Sequence, residues 1–329
     1  MPATEVAATQ GLNGLIVDCD REVFSRDLNI LPYEIHHTLA GNPLFQLPAL
    51  IELAQHVAAR TNPHMSGGDV YFNEGLIEAG TKPNYDRPEE ERAAVVDLVR
   101  KIEQAQAWII LKHVEREPGY RELLEAAVCD VLELSGRADL LRRIKWFEAI
   151  LFITSPNRVT EYHIDRECSW IFQIQGDKQI HLFDRADKDI VPEQELESFY
   201  TVDNRASRYK PEFEDRAMVY DMTPGTGVHI PVNTPHWLKN GNNVSVTLNV
   251  NFQFRDREIA NLYKANYFLR KAGLKPATPG TWPIADNVKA AALTAALAVK
   301  RAIKKGDGVV PPEAKDQKKR IADKLRSRT

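Results

Sequence analysis

The spacing of apolar positions divides the chain into three textures. In the first, apolar residues recur three and four apart in FQLPALIELAQHVAAR, EERAAVVDLVRKIEQAQAWIILKHVER and YRELLEAAVCDVLELS, which predicts three amphipathic helices. Pro88 opens the second run, and the acidic residues 89–91 lie in its first turn, where the helix dipole favours negative charge. A short run, GLIVDC, reads as a strand. From about Trp146 the texture changes to WFEAILFITS, SWIFQIQG, KQIHLF, AMVYDM, GVHIPV and VSVTLNVNFQF, separated by Gly, Pro, Asn and Asp. These runs predict the short strands of an antiparallel barrel or sandwich. Beyond Arg255 the helical period returns in DREIANLYKANYFLRKAG. A Pro-rich hinge, LKPATPGTWPIAD, leads to the Ala-rich NVKAAALTAALAVKRAIKK, and a second hinge, GDGVVPPEAK, leads to a basic terminus. The organisation expected is a mostly helical region over 1–140, a β core over 141–256 and a helical region with a basic tail over 257–329. The fold class is mainly β with helical additions, α+β, and the chain has no internal repeat.

The run VSVTLNVNFQF alternates strictly. Val246, Leu248, Val250, Phe252 and Phe254 share one face of a strand, leaving Thr247, Asn249, Asn251 and Gln253 on the other. With the apolar face packed on outer helices, the polar face lines a barrel interior; the plainer alternative is a sheet with one face in solvent. At 329 residues and 43% hydrophobic content there is ample core, and a formal charge of −3 argues against a dedicated nucleic-acid binder. Basic residues outnumber acidic ones from Lys289 onward, but a solvated helix is the commoner fate of such a segment than contact with nucleic acid, an acidic partner or a membrane. Cys19, Cys129 and Cys168 lack metal-type spacing and read as reduced and structural. No run is long enough to span a bilayer, and the first residues lack a basic segment followed by an apolar one, so the cytosol is the expected location.

Candidate chemistry concentrates in residues 160–183, TEYHIDRECSWIFQIQGDKQIHLF. On a strand, His163 and Asp165 would share a face about 6.5 Å apart, a spacing suited to two metal ligands. Alone the pattern is weak, since H-x-D arises by chance in roughly one chain in three of this length. PGTGVHIPVNTPHW offers two candidates for a third ligand. His229 lies inside a strand-like run, whereas His236 follows a turn and begins HWLKN, which suits a ligand at the mouth of a barrel. Two histidines and one carboxylate on one side of an ion are the arrangement of non-haem Fe(II) oxygenases. If Gly176-Asp177 form a type II′ turn, Gln175 pairs with Lys178, and the lysine lies on the strand beside His163. Its ammonium could meet an anionic cosubstrate, with Thr160 as a nearby hydroxyl donor; the plainer alternative is a lysine snorkelling to solvent.

These residues resemble the JmjC or cupin-like Fe(II)- and 2-oxoglutarate-dependent oxygenases, a family that includes the asparaginyl hydroxylase of the hypoxia-inducible factor and bacterial cupin-like proteins. The likeness runs through NRVTEYHID, QIQGDKQIHLF, PGTGVHIPVNTPHW and NVNF, from about Trp146 to Phe254, and is loose in the N-terminal region. It implies a double-stranded β-helix (jelly-roll, cupin) core. It implies His163, Asp165 and His236 as iron ligands, Thr160 and Lys178 on the distal carboxylate of 2-oxoglutarate, and Asn251 near its chelating end. His229 falls where the family has an aromatic pocket residue, and Asn249 and Gln253 join it in the expected substrate pocket. There are two departures: Ser169 replaces an asparagine expected near the cosubstrate, and Gln253 replaces a tryptophan. The implied reaction uses O2 to couple decarboxylation of 2-oxoglutarate to hydroxylation of a protein, peptide or small-molecule substrate. The resemblance also implies a homodimer through the helices after Arg255. The competing reading is a non-catalytic cupin-type ligand sensor or transcriptional regulator. His36, His37, His56, His64, His113 and His181 receive no role.

Overall fold

The strictly alternating run near residue 250 becomes the central strand of the molecule. The computed structural model describes residues 14–60, 69–82, 91–254, 257–303 and 312–328. In chain order its strands are β1 (Ile16–Val17), β2 (Tyr33–His37), β3 (Val70–Glu74), β4 (Ala107–Leu111), β5 (Ile144–Thr154), β6 (Val159–His163), β7 (Cys168–Gln175), β8 (Lys178–Leu182), β9 (Met218–Met222), β10 (Thr226–Ile230), β11 (His236–Asn240) and β12 (Ser245–Phe254). The helices are α1 (Arg21–Asp27), α2 (Leu47–Ala58), α3 (Ala94–Arg100), α4 (Pro118–Leu134), α5 (Leu140–Arg143), α6 (Glu193–Thr201), α7 (Arg257–Lys271), α8 (Pro283–Ile303) and α9 (Pro312–Arg328).

The strands form two antiparallel sheets, one ordered β1-β2-β10-β7-β12-β5-β4-β3 and the other β6-β11-β8-β9. They pack face to face as a double-stranded β-helix. One face of β12 buries Val246, Leu248, Val250 and Phe252 in a core shared with Leu124, Val128 and Val131 of α4. Burying each such side chain contributes about 1.5–3 kcal/mol, which fixes the register of the strand against a one-residue slip. The opposite face turns Thr247, Asn249 and Asn251 into the space between the sheets. At the closed end of that space Ile171, Ile180, Val228, Ile230 and Leu238 form an apolar plug.

The fold departs from the sequence pattern in two places. The second helical run does not stay helical: α3 ends at Arg100, and AWIIL becomes β4, paired with β5 (Trp108↔Thr154, Leu111↔Leu151) and with β3. Its bulky and β-branched residues fit a pleated surface, and both neighbouring strands offer ladder partners that a helix would forgo. Nor is Gly176-Asp177 a hairpin. Gln175 ends β7 in the large sheet opposite Val246, whereas Lys178 begins β8 in the small sheet between Met222 and Asn240. Gly176, at φ 70°, is pressed against the Val244 carbonyl and Asn243, with no room for a Cβ. The turn is a corner that carries the chain between sheets, and β11 separates Lys178 from the strand of His163.

The basic terminus finds its acidic partner inside the molecule. In α9, Arg320 and Lys324 reach Glu125 at 2.6 and 2.7 Å, Arg328 reaches Asp130 at 2.7 Å, and Ile321 is fully buried in the main core. Most of the second hinge, His64, Pro88 and the first thirteen residues lie outside the described residues. No described helix is long and apolar enough to cross a membrane.

Candidate active site

His163 is the last residue of β6 and His236 the first of β11, and the two are register partners across the small sheet. Asp165 is not on the strand. Ile164 is drawn into the apolar cluster beneath α6, with Tyr162 and Phe199, and Asp165 follows in the turn toward β7. The Asp165 carbonyl accepts from Asn233 N–H at 2.9 Å, tying this turn to the loop that delivers His236. Asp165 Oδ2 then lies 3.6 Å from His163 Nε2 and 3.8 Å from His236 Nε2. One ligand atom from each of the three residues lies within 4.8 Å of the others, the one such group among the described residues.

The tautomers are set by backbone carbonyls. His163 Nδ1 donates to Glu161 O at 2.7 Å and His236 Nδ1 donates to Thr234 O at 2.9 Å. Each imidazole therefore turns an Nε2 lone pair toward Asp165, the state a metal requires. Burial, with the neighbouring His163, pushes His236 down to about 4, so it is neutral at pH 7. The His236 side chain is 4% exposed and that of Asp165 39%, so the triad spans from the cavity wall to its opening.

Behind the triad lies a cavity of about 480 Å³. Lys178 lines it, 6% exposed, with no hydrogen-bond or ion-pair partner among the described residues. Desolvation pushes the amine down to about 7. Thr160 also faces this space, its Oγ1 accepting from Trp108 Nε1–H at 2.9 Å. Asn251 lines the wall, and its Oδ1 accepts from the Ser169 hydroxyl at 2.8 Å.

No protein-family model matches the chain. HSPB1-associated protein 1 of Rattus norvegicus is 24% identical over 270 residues, which cover 73% of this chain and 54% of that protein. The same protein of Mus musculus gives the same identity and coverage. The chain thus spans about half the length of the curated relatives it matches. Among solved structures, ycfD of Escherichia coli is 13% identical with a TM-score of 0.45, over 95% of this chain and 69% of that one. A structure of YcfD, a ribosomal oxygenase, with cobalt and 2-oxoglutarate is 14% identical with a TM-score of 0.40, over 92% and 65%. The chain resembles the JmjC and cupin-like oxygenases. Within the chain, the resemblance is carried by the triad and by Lys178 and Thr160 in one cavity.

His229 departs from expectation. It sits on the outer face of the large sheet, fully buried and stacked on Trp170 with ring centroids 4.5 Å apart. Its Nδ1 donates to Ser169 O at 3.0 Å and its Nε2 accepts from Asn29 N–H at 2.9 Å. Desolvation pushes it down to about 3. It is a neutral core residue and neither a ligand nor a pocket residue; strand alternation in GVHIPV turns it away from the interior while Val228 and Ile230 point in. Gln253 reaches the site only through Glu167, to which its Nε2 donates at 3.1 Å, whereas Asn249 lines the cavity directly.

Sequence reasoning missed the charged rim of the opening. Glu148, 3% exposed, lies 3.5 Å from both Lys112 Nζ and His113 Nε2. Burial opposes charge on His113, but Glu115 and Glu148 outweigh it and raise its affinity for a proton. Burial, together with Asp165 and Glu148, pushes Glu167 up to about 7. The available signal was the lone acid in WFEAILFITS, which shares its strand face with Trp146, Ile150 and Phe152 and stands opposite Asn251.

Proposed function

We propose that the protein is an Fe(II)- and 2-oxoglutarate-dependent oxygenase that hydroxylates a protein side chain or a small molecule. One observation carries this reading: the triad shares a cavity with a buried ammonium that lacks a counter-ion among the described residues. Two imidazoles and a carboxylate on one side suit a divalent ion with open positions, and Nε2 of His163, Nε2 of His236 and Oδ2 of Asp165 would hold it. A dicarboxylate chelating that ion would extend its distal carboxylate to Lys178 and Thr160. A desolvated lysine without such a partner is costly, so an anion belongs in the inner cavity.

When bound, iron supplies the redox chemistry that couples O2-dependent decarboxylation of 2-oxoglutarate to hydroxylation of a substrate C–H bond. The chain's own residues orient and exclude water. The Glu161 and Thr234 carbonyls hold the imidazoles in the ligating tautomer, Lys178 and Thr160 fix one end of the cosubstrate, and the apolar plug seals the closed end. Asn251 would stand at the chelating end of the cosubstrate, and Asn249 and the rim of Lys112, His113 and Glu148 are left to face the substrate.

The test uses metal-free protein under anaerobic conditions, with Fe(II) and 2-oxoglutarate added. A weak visible metal-to-ligand charge-transfer band is expected in wild type, and its loss or weakening in Asp165→Ala and Lys178→Ala. Iron retained without a band in wild type would overturn the oxygenase reading and leave a cupin-type ligand sensor.

A further inference from the structure

Resting on that reading, we infer that Trp108 is a positioning residue for the cosubstrate. By taking one lone pair of the Thr160 hydroxyl, it aims the Thr160 proton away from the indole, so that Thr160 and Lys178 together present donors suited to an ionised, acceptor-only group.

The indole N–H can only donate, whereas a hydroxyl carries one proton and two lone pairs and rotates to suit its surroundings. At 2.9 Å, Trp108 Nε1–H takes one Thr160 lone pair and fixes the remaining proton to point away from the indole. No acceptor among the described residues takes that proton, and Thr160 faces the cavity. Lys178 lines the same cavity and is also donor-only when charged. An ionised carboxylate matches two such donors. A carboxamide or an alcohol offers one acceptor oxygen in place of two and no negative charge to meet the ammonium.

Trp108 is built to hold that role. It is 5% exposed, lies in the middle of a β-ladder between Asn73 of β3 and Thr154 of β5, and meets Phe152 edge-on at 6.1 Å. The indole cannot swing without breaking that packing. Its partner Thr160 lies in the other sheet, so this contact also joins the two sheets at the cosubstrate end.

The test is a double-mutant cycle read by calorimetry of 2-oxoglutarate binding to the full chain loaded with Mn(II). Trp108→Phe should weaken binding about three- to tenfold, the usual range for one hydrogen bond. Thr160→Val should weaken it at least as much, and the double variant no further than Thr160→Val. Mn(II) affinity measured without 2-oxoglutarate should stay at the wild-type value. Wild-type binding in Trp108→Phe, or an undiminished Trp108 effect in the Thr160→Val background, would overturn the inference while leaving the oxygenase reading standing. No binding to wild type would remove both. A second measurement needs no change at Trp108: in Zn(II)-loaded protein, one indole N–H resonance should shift in Thr160→Val and on addition of 2-oxoglutarate. If no indole signal responds to Thr160→Val, the pair does not form and the inference falls.

Discussion

The Ser169 hydroxyl donates to Asn251 Oδ1 at 2.8 Å, between register partners on β7 and β12. Both side chains are buried, and the bond leaves the Asn251 amide nitrogen to serve the cavity. Ser169→Ala would strand a buried carbonyl oxygen, at about 1–3 kcal/mol. Urea denaturation should show that loss, and 2-oxoglutarate should bind a few-fold more weakly because Asn251 is no longer held. Unchanged stability would mean the amide has found another donor.

Lys178 predicts a pH dependence. Its folded value, about 7, lies below the ordinary lysine value of 10.5 because of burial. Between those values the unfolded chain holds a proton that the folded chain does not, so ligand-free stability should rise with pH across that window. Below about pH 7 both states are charged and the full penalty applies. Lys178→Met should therefore stabilise the ligand-free protein near pH 6, by about 1–4 kcal/mol, and flatten the slope above pH 7. A variant whose stability profile parallels wild type would contradict this. Calorimetry at pH 8 in buffers of different ionisation enthalpy should also show proton uptake when 2-oxoglutarate binds, and none in Lys178→Met.

The docking of α9 predicts a stability effect far from the cavity. Ile321 is fully buried, and the Gln317 amide spans the backbone N–H and C=O of Phe147 at 3.4 and 3.3 Å, next to Glu148 of the rim. Ile321→Ala should cost about 2–5 kcal/mol in denaturant unfolding. Because Arg320, Lys324 and Arg328 already meet Glu125 and Asp130, wild type should show little salt-dependent retention of RNA or DNA. Retention abolished by removing residues 312–329 would reverse that conclusion.

The C-terminal helices carry the expectation of a homodimer. Phe268 of α7 and Ile284 and Val288 of α8 are exposed, as is Trp282 beside them, with Ile284 reaching 83%. Light scattering should give twice the chain mass, and Ile284→Glu should give the single-chain mass with 2-oxoglutarate binding retained. A concentration-independent single-chain mass for wild type would set the dimer aside.

The sequence alone determined the features that depend on local period and residue chemistry. Alternation in VSVTLNVNFQF assigned its two faces correctly because a strand's side chains have period two and only one set is apolar. The texture change near Trp146 located the strands from β5 onward but not β2, β3 and β4 before it, and His236 at the start of HWLKN was placed because a turn of Asn, Thr and Pro precedes it. Tertiary structure alone decided everything that depended on which strand meets which. AWIIL reads equally as helix or strand until β3 and β5 offer it ladders, so Trp108, Lys112 and His113 stayed hidden. The same holds for the corner at Gly176, which a two-residue turn signal cannot distinguish from a hairpin. Asp165 leaves the strand because burying Ile164 beneath α6 outweighs continued pairing, and His229 faces outward because β10 must turn Val228 and Ile230 into the plug. Local pattern names the groups that can do chemistry; only long-range packing decides which of them share one cavity.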